Sequence, residues 1–157
     1  MRPTIVTDYK PESFLVHWLV LEKECPLDVV ADSIAQGIET ATPPYYQDGD
    51  VLIYDLSTLV QFLQERYPGE QLLPADPVSR AQIRQACKLM GDPELDLMDE
   101  IETILLTGSQ FMAGREFTLL DIYVGTWLSS REKMPAAVFD YWRRISNRPA
   151  FIKASQC

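Results

Sequence analysis

Cysteine, histidine, positive charge and long apolar runs are all scarce in this sequence, and each shortage removes a class of function. Only three cysteines occur, Cys25, Cys87 and Cys157. Their odd number and the lack of C-x-x-C or Cys/His spacing argue against a disulfide framework and a zinc site, and fit reduced thiols. The single histidine, His17, sits inside an apolar helical stretch with no serine or cysteine motif to pair with. It reads as a packing or interface residue rather than a general base. Against 23 acidic side chains stand only 14 basic ones, a net charge of −9. A phosphate backbone is repelled by such a surface, so no direct nucleic-acid binding is expected. The longest apolar run, residues 14–21, is interrupted by His17 and falls well short of the roughly 20 residues that span a bilayer. It follows the polar residues 8–13, without a cationic leader or a small-residue cleavage site, so it does not read as a signal peptide. The expectation is a cytoplasmic protein without membrane contact.

What the chain does have is apolar mass and clear punctuation. With 46% apolar residues in 157, it can bury the core of one domain or of two small ones that share it. Residues 4–9 (TIVTDY) are β-branched and strand-like, and residues 13–23 follow as a mostly apolar helix that ends before Pro26. Residues 27–30 form a second short strand, while residues 31–42 are weakly patterned and hold at most a short helix. Tyr45-Tyr46 and residues 51–53 then flank Asp48-Gly49, a hairpin dipeptide. Asp55 caps the next helix, where Leu56, Leu59, Val60, Leu63 and Tyr67 share one face.

Beyond Tyr67-Pro68-Gly69 the pattern is wholly helical. Asp76-Pro77 is an N-cap followed by an N1 proline, with Ile83, Ala86, Cys87 and Met90 on one stripe. Gly91-Asp92-Pro93 breaks that helix, and Met98, Ile101 and Leu105 face inward in the next. Thr118 and Asp121 in FTLLDIY have capping-box spacing, and a final helix through Val138, Tyr141, Trp142 and Ile145 ends before Pro149. These readings give an α/β domain over residues 1–70, a linker over 71–77 and an all-helical domain over 78–157. Trp18, Trp127 and Trp142 read as core. The acids Asp92, Glu94, Asp96, Asp99, Glu100 and Glu102 lack the glycine turn of a calcium loop, so they read as a solvated helix face, with a partner-binding acidic surface as the alternative. No metal site is expected.

The order of elements, together with DGDVLIYDLSTLVQFLQERYPGEQLLPADPVSRAQIRQ, FMAGREFTLLDIY, YWRRISNRPAFIKA and LVLEKECPLDVV, resembles the glutathione S-transferase superfamily. The resemblance implies a thioredoxin-like N-terminal domain followed by a GST-type helical domain, here in shortened form. In LVLEKE, Glu24 stands where the family usually has glycine. The run ERYP…LLPADPVSR looks most like bacterial stringent starvation protein A and its relatives. That likeness implies a fold kept without transferase activity and association with RNA polymerase, while the superfamily resemblance implies a homodimer. Family dimers pair through the third and fourth helices, here the apolar surface of Tyr67, Ile83, Ala86, Cys87 and Met90. One departure touches the partner: the histidine-proline turn used by polymerase-binding relatives is replaced by Pro68-Gly69-Glu70-Gln71.

The same resemblance sets out a glutathione cradle to test residue by residue. If Pro44 is the family's cis-proline, the residue whose backbone pairs with glutathione is Pro43, which has no N–H to offer. Asp55 occupies the family's acidic position, but Leu56 replaces the serine that holds the γ-glutamyl carboxylate. Ser57 follows one residue later, turned by about 100° around the helix. Tyr9 and Ser13 are the hydroxyls within reach of the thiol-activating position, and Ser13 reads more simply as the N-cap of the first helix. The expectation is a relic cradle with no cofactor, in a non-enzymatic regulatory protein. The alternative is a reduced glutathione-dependent transferase or thiol reductase working through an unrecognised hydroxyl or through Cys25.

Overall fold

The computed structural model describes residues 2–32 and 41–156. The chain divides into two compact units, Met1–Glu70 together with Lys153–Cys157, and Gln71–Ile152. Of the weakly patterned stretch 31–42, residues 33–40 lie outside the described residues.

Among the described residues, the first unit holds a four-stranded sheet and the helices α1 (Pro11–Glu22) and α2 (Leu56–Arg66). Strands β1 (Thr4–Thr7), β2 (Asp28–Ala31), β3 (Tyr45–Asp48) and β4 (Val51–Ile53) lie in the order β2-β1-β3-β4. β1 runs parallel to β2, with Ile5 opposite Val29, and antiparallel to β3, with Ile5 opposite Tyr46. Ile5, Val6, Tyr45 and Tyr46 are all buried. β3 and β4 form a hairpin in which Asp48 pairs with Val51, so its central dipeptide is Gly49-Asp50, one residue on from the Asp48-Gly49 expected. Gly49 has φ of 58°, the positive value that the first central position of a II′ turn requires.

Helix α1 (Pro11–Glu22) begins earlier than expected. Lys10 is its N-cap and Pro11 fills the first turn, where a missing N–H costs nothing. Ser13 is therefore inside the first turn and is not the cap. Leu15, Val16, Trp18, Leu19 and Val20 are buried, as suits a helix that is apolar around most of its circumference. Its end is a Schellman motif: the Cys25 N–H donates to the Val20 carbonyl at 3.0 Å and the Glu24 N–H to the Leu21 carbonyl at 3.2 Å. The motif needs a left-handed residue, and Glu24 supplies it with φ of 52°. Helix α2 (Leu56–Arg66) buries Leu59, Val60 and Leu63.

The second unit holds α3 (Pro77–Met90), α4 (Met98–Leu106), α5 (Leu119–Leu128) and α6 (Ala136–Ser146), and the division between units falls within α7 (Pro149–Ser155). The last of these is an additional helix beyond the one read as final. α5 is buried nearly all round and lies at the centre, between α3 and α6. Residues 71–77 are not a free linker. Leu72 and Leu73 are buried, and the Leu72 carbonyl accepts from the Leu119 N–H at 2.9 Å. Tyr67, Ile83 and Cys87 are also buried, which removes them from the apolar surface proposed for self-association. Of the tryptophans only Trp18 is fully buried. Trp127 lies half-buried under the Arg131 guanidinium, 3.9 Å away, and Trp142 packs edge-on against Phe151 at 5.4 Å.

Candidate functional site

A cavity of about 790 Å³ opens in the first unit, where β1 ends and α1 begins. Among the residues lining it are Asp8, Tyr9, Lys10, Ser13, His17, Asp32, Thr42 and Pro43. The turn at its floor is built by short-range hydrogen bonds. Asp8 Oδ1 accepts from the Lys10 N–H at 3.0 Å and from the Ser13 hydroxyl at 2.8 Å, while Ser13 Oγ accepts from the Asp8 N–H at 2.9 Å. Lys10 Nζ lies 3.5 Å from Asp8 Oδ2. Burial works to raise the Asp8 carboxyl, but the bonds from Lys10 and Ser13 and the Lys10 charge outweigh it and hold the group below the ordinary value.

The two hydroxyls considered for catalysis are thus in opposite situations. Ser13 is 1% exposed, and the one hydrogen its hydroxyl can give is already donated to Asp8. Tyr9 is 94% exposed, at the cavity edge.

Pro43 lines the cavity and the Pro43–Pro44 peptide bond is cis, directly before β3. Asp55, Leu56 and Ser57 are elsewhere, at the start of α2, and none of them lines the cavity. Asp55 Oδ2 accepts from the Thr58 N–H at 3.0 Å and from the Thr58 hydroxyl at 2.7 Å, so its carboxylate is engaged as a helix cap. Leu56 is the first residue of that helix and half-buried, and Ser57 is exposed.

His17, read from the sequence as a packing or interface residue, forms part of the cavity wall. Burial, and then the charge of Lys153, keep its imidazole below the ordinary value. Asp8 and Lys10 were missed as site residues. Their signal in the sequence was the D-x-K spacing of a short turn ahead of a proline-led helix, which has no chemical signature of its own. Cys25 is buried at the far end of α1, and burial pushes its thiol up to about 11, leaving almost no thiolate at neutral pH. Cys87 is pushed up to about 12 by burial and by the charge of Asp121. Among the described residues no three His, Cys, Asp or Glu side chains gather as a metal site would require.

Thr118 and Asp121 belong to the second unit and form a capping box at the start of α5. The Thr118 hydroxyl accepts from the Leu120 N–H at 3.3 Å, and Asp121 Oδ2 accepts from the Thr118 N–H at 2.9 Å. Asp121 does more than cap. Its Oδ1 also accepts from the Met112 N–H at 2.9 Å and from the Tyr141 phenol at 2.6 Å. Burial raises its carboxyl above the usual range, with those donors and the Arg148 charge pulling the other way.

No family model matches the chain, and no curated protein matches it in sequence. Solved structures do match its fold. A glutathione S-transferase from the Antarctic clam Laternula elliptica superposes with a TM-score of 0.77 at 20% identity, over 98% of this chain and 92% of that one. Glutathione Transferase E6 from Drosophila melanogaster gives 0.79 at 16% identity, over 99% and 91%. A theta class glutathione S-transferase from the citrus canker pathogen Xanthomonas axonopodis pv. citri, with glutathione bound, gives 0.72 at 17% identity, over 100% and 99%. Identities this low establish architecture and nothing finer: the chain has the glutathione S-transferase fold, a thioredoxin-like sheet unit followed by a helical unit.

Proposed function

We propose that this chain is a non-enzymatic interaction module on the glutathione S-transferase fold, a regulator that works by binding another protein as stringent starvation protein A and its relatives do. The observation that carries this reading is the state of Ser13, whose buried hydroxyl is spent on Asp8. A thiol-activating hydroxyl needs its hydrogen free for the sulfur. Pro43 without an N–H and Leu56 in place of a serine weaken the rest of the cradle in the same direction, since a polar ligand group left unpaired costs about 1–3 kcal/mol.

The test is glutathione conjugation to a generic aromatic electrophile, run beside a thermal-shift titration with millimolar glutathione. The expected result is no turnover above the uncatalysed rate and an unchanged melting temperature. Turnover that disappears in Ser13→Ala or Tyr9→Phe overturns the reading. RNA polymerase is the partner that the resemblance offers, and binding of the purified chain to purified polymerase checks it directly. Self-association belongs to the same proposal, with the exposed Val78 of α3 as an apolar residue available to it.

A second reading, a reduced glutathione-dependent transferase or thiol reductase, has one observation in its favour. The cavity lies beside the cis bond and has Lys10 among its lining residues, with the Lys10 ammonium 3.5 Å from Asp8 Oδ2. The same titration decides between the two, because a working cradle raises the melting temperature with ligand concentration.

A further inference from the structure

Helix α3 carries two exposed large hydrophobic side chains, Val78 near its start at 65% exposure and Leu89 near its end at 50%. At about 100° per residue, Val78, Gln82, Gln85 and Leu89 fall within about 60° of one another around the helix, and Ala81 and Ala86 flank them by about 40° on either side. They form a single face, exposed except at Ala86, which is half-buried. Ile83 and Cys87, which α3 buries, lie on the opposite side.

This face holds no charge, although the chain carries a net −9. α3 has no acidic residue, its Arg80 and Arg84 lie half-buried on the packed side, and Lys88 stands at the margin of the face. Charge of one sign keeps copies of such a chain apart, so an uncharged face is where two of them meet at least cost.

The order of side chains along the face is also the same from either end: apolar, small, amide, amide, small, apolar. A two-fold axis crossing the helix between residues 83 and 84 therefore sets Val78 opposite Leu89 of a second copy, Ala81 opposite Ala86, and Gln82 opposite Gln85. An amide carries both donors and an acceptor, so the glutamines pair across the axis without charge. The alanines let the two helices pack closely, and the antiparallel arrangement sets the helix dipoles favourably against each other. An isologous contact requires one patch that fits itself.

From this self-complementarity we infer that the exposed face of α3 docks on the same face of a second copy, antiparallel and in the register just given. The inference rests on the reading of the chain as self-associating, and it replaces the buried Tyr67, Ile83 and Cys87 with a named surface and register. So few residues a side, against roughly 20–30 in a standard interface, make a dimer that dissociates on dilution.

The test is sedimentation of the full chain over a concentration range of about a hundred-fold, reaching the millimolar range, where mass action reveals a weak dimer. The wild type is expected to shift from monomer to dimer. Gln82→Glu with Gln85→Glu sets carboxylate against carboxylate at both crossings and should weaken the dimer about ten-fold or more. Gln82→Glu with Gln85→Lys keeps the net charge at −9 and sets opposite charges against each other, so it should dimerise at least as well as the wild type, less so at high salt. Both positions are exposed, where substitution leaves the fold intact. Gln110→Glu with Gln156→Glu, two exposed positions elsewhere, adds the same charge and should weaken the dimer far less. A wild type that stays monomeric throughout overturns both this inference and self-association. Dimers that persist in the first variant, a second variant as weak as the first, or an equal loss in the matched variant overturn this surface and leave self-association standing. Glutathione conjugation is a separate measurement, so the non-enzymatic reading stands or falls independently of these results.

Discussion

Tyr141 and Asp121, 20 residues apart in the sequence, meet at 2.6 Å, the phenol donating to Oδ1 of a carboxylate that is 0% exposed. With Met112 and Thr118 donating to the same carboxylate, one side chain closes the 111–114 turn, starts α5 and fixes α6. Removing it in Asp121→Ala leaves three donors without an acceptor in the core, each costing about 1–3 kcal/mol. A loss of about 3–5 kcal/mol is expected, which for a chain of this size lowers the melting temperature by roughly 10 °C or more. Tyr141→Phe removes one donor and keeps the packing, so about 1–2 kcal/mol is lost. Thermal unfolding of both variants checks this, and equal effects would mean that Asp121 acts only through Tyr141.

Ser13 is expected to matter for stability and not for turnover. In Ser13→Ala the Asp8 N–H loses its acceptor and the Asp8 carboxylate loses a donor, at a cost of about 1–2 kcal/mol and a few degrees of melting temperature. Ser13→Thr keeps the hydroxyl but adds a methyl group to a buried turn, and should recover only part of the loss. A Ser13→Ala variant that melts with the wild type would show that the Asp8 turn does not need the hydroxyl.

Glu24 offers a gain. A side chain at left-handed φ costs about 1–2 kcal/mol, whereas glycine adopts it freely but gives back about 0.5–1 kcal/mol through the unfolded chain. Glu24→Gly is therefore expected to stabilise by about 0.5–1 kcal/mol, visible as a rise of a few degrees. Glu24→Ala keeps the Cβ and should show no comparable rise. A lower melting temperature for the glycine variant would mean that the Glu24 side chain makes a contribution of its own.

His17 gives the chain a pH response in the mildly acidic range. Because burial and then Lys153 hold its folded-state value below 6.5, the unfolded chain binds the proton more tightly. Stability from this group is complete above about 6.5 and is lost as pH falls from there through the folded-state value. Between about pH 7 and pH 5 the wild type should lose more melting temperature than His17→Gln. Lys153→Met should reduce the loss only in part, since burial is the larger cause. Parallel profiles for wild type and His17→Gln would assign the acid sensitivity to carboxylates instead.

Local features were legible in the sequence because their partners lie three or four residues away. The caps Asp55 and Asp76 bond to the N–H groups of Thr58 and Ser79, and spacing alone reveals such pairs. The β-branched first strand and the stripe through Leu59, Val60 and Leu63 depend on the same short-range signals. Other properties depend on which surfaces the fold brings together. Ser13 bonds to Asp8 within a local turn that no capping pattern signals, whereas Tyr67, Ile83 and Cys87 are covered because the packed helices cover them. Asp121 reads in sequence as one arm of a cap, yet its tightest bond is to Tyr141, a residue on another helix. No local spacing encodes that meeting. It exists only once α5 and α6 are packed, because burial there removes water as a competing partner and makes each remaining hydrogen bond to the carboxylate obligatory.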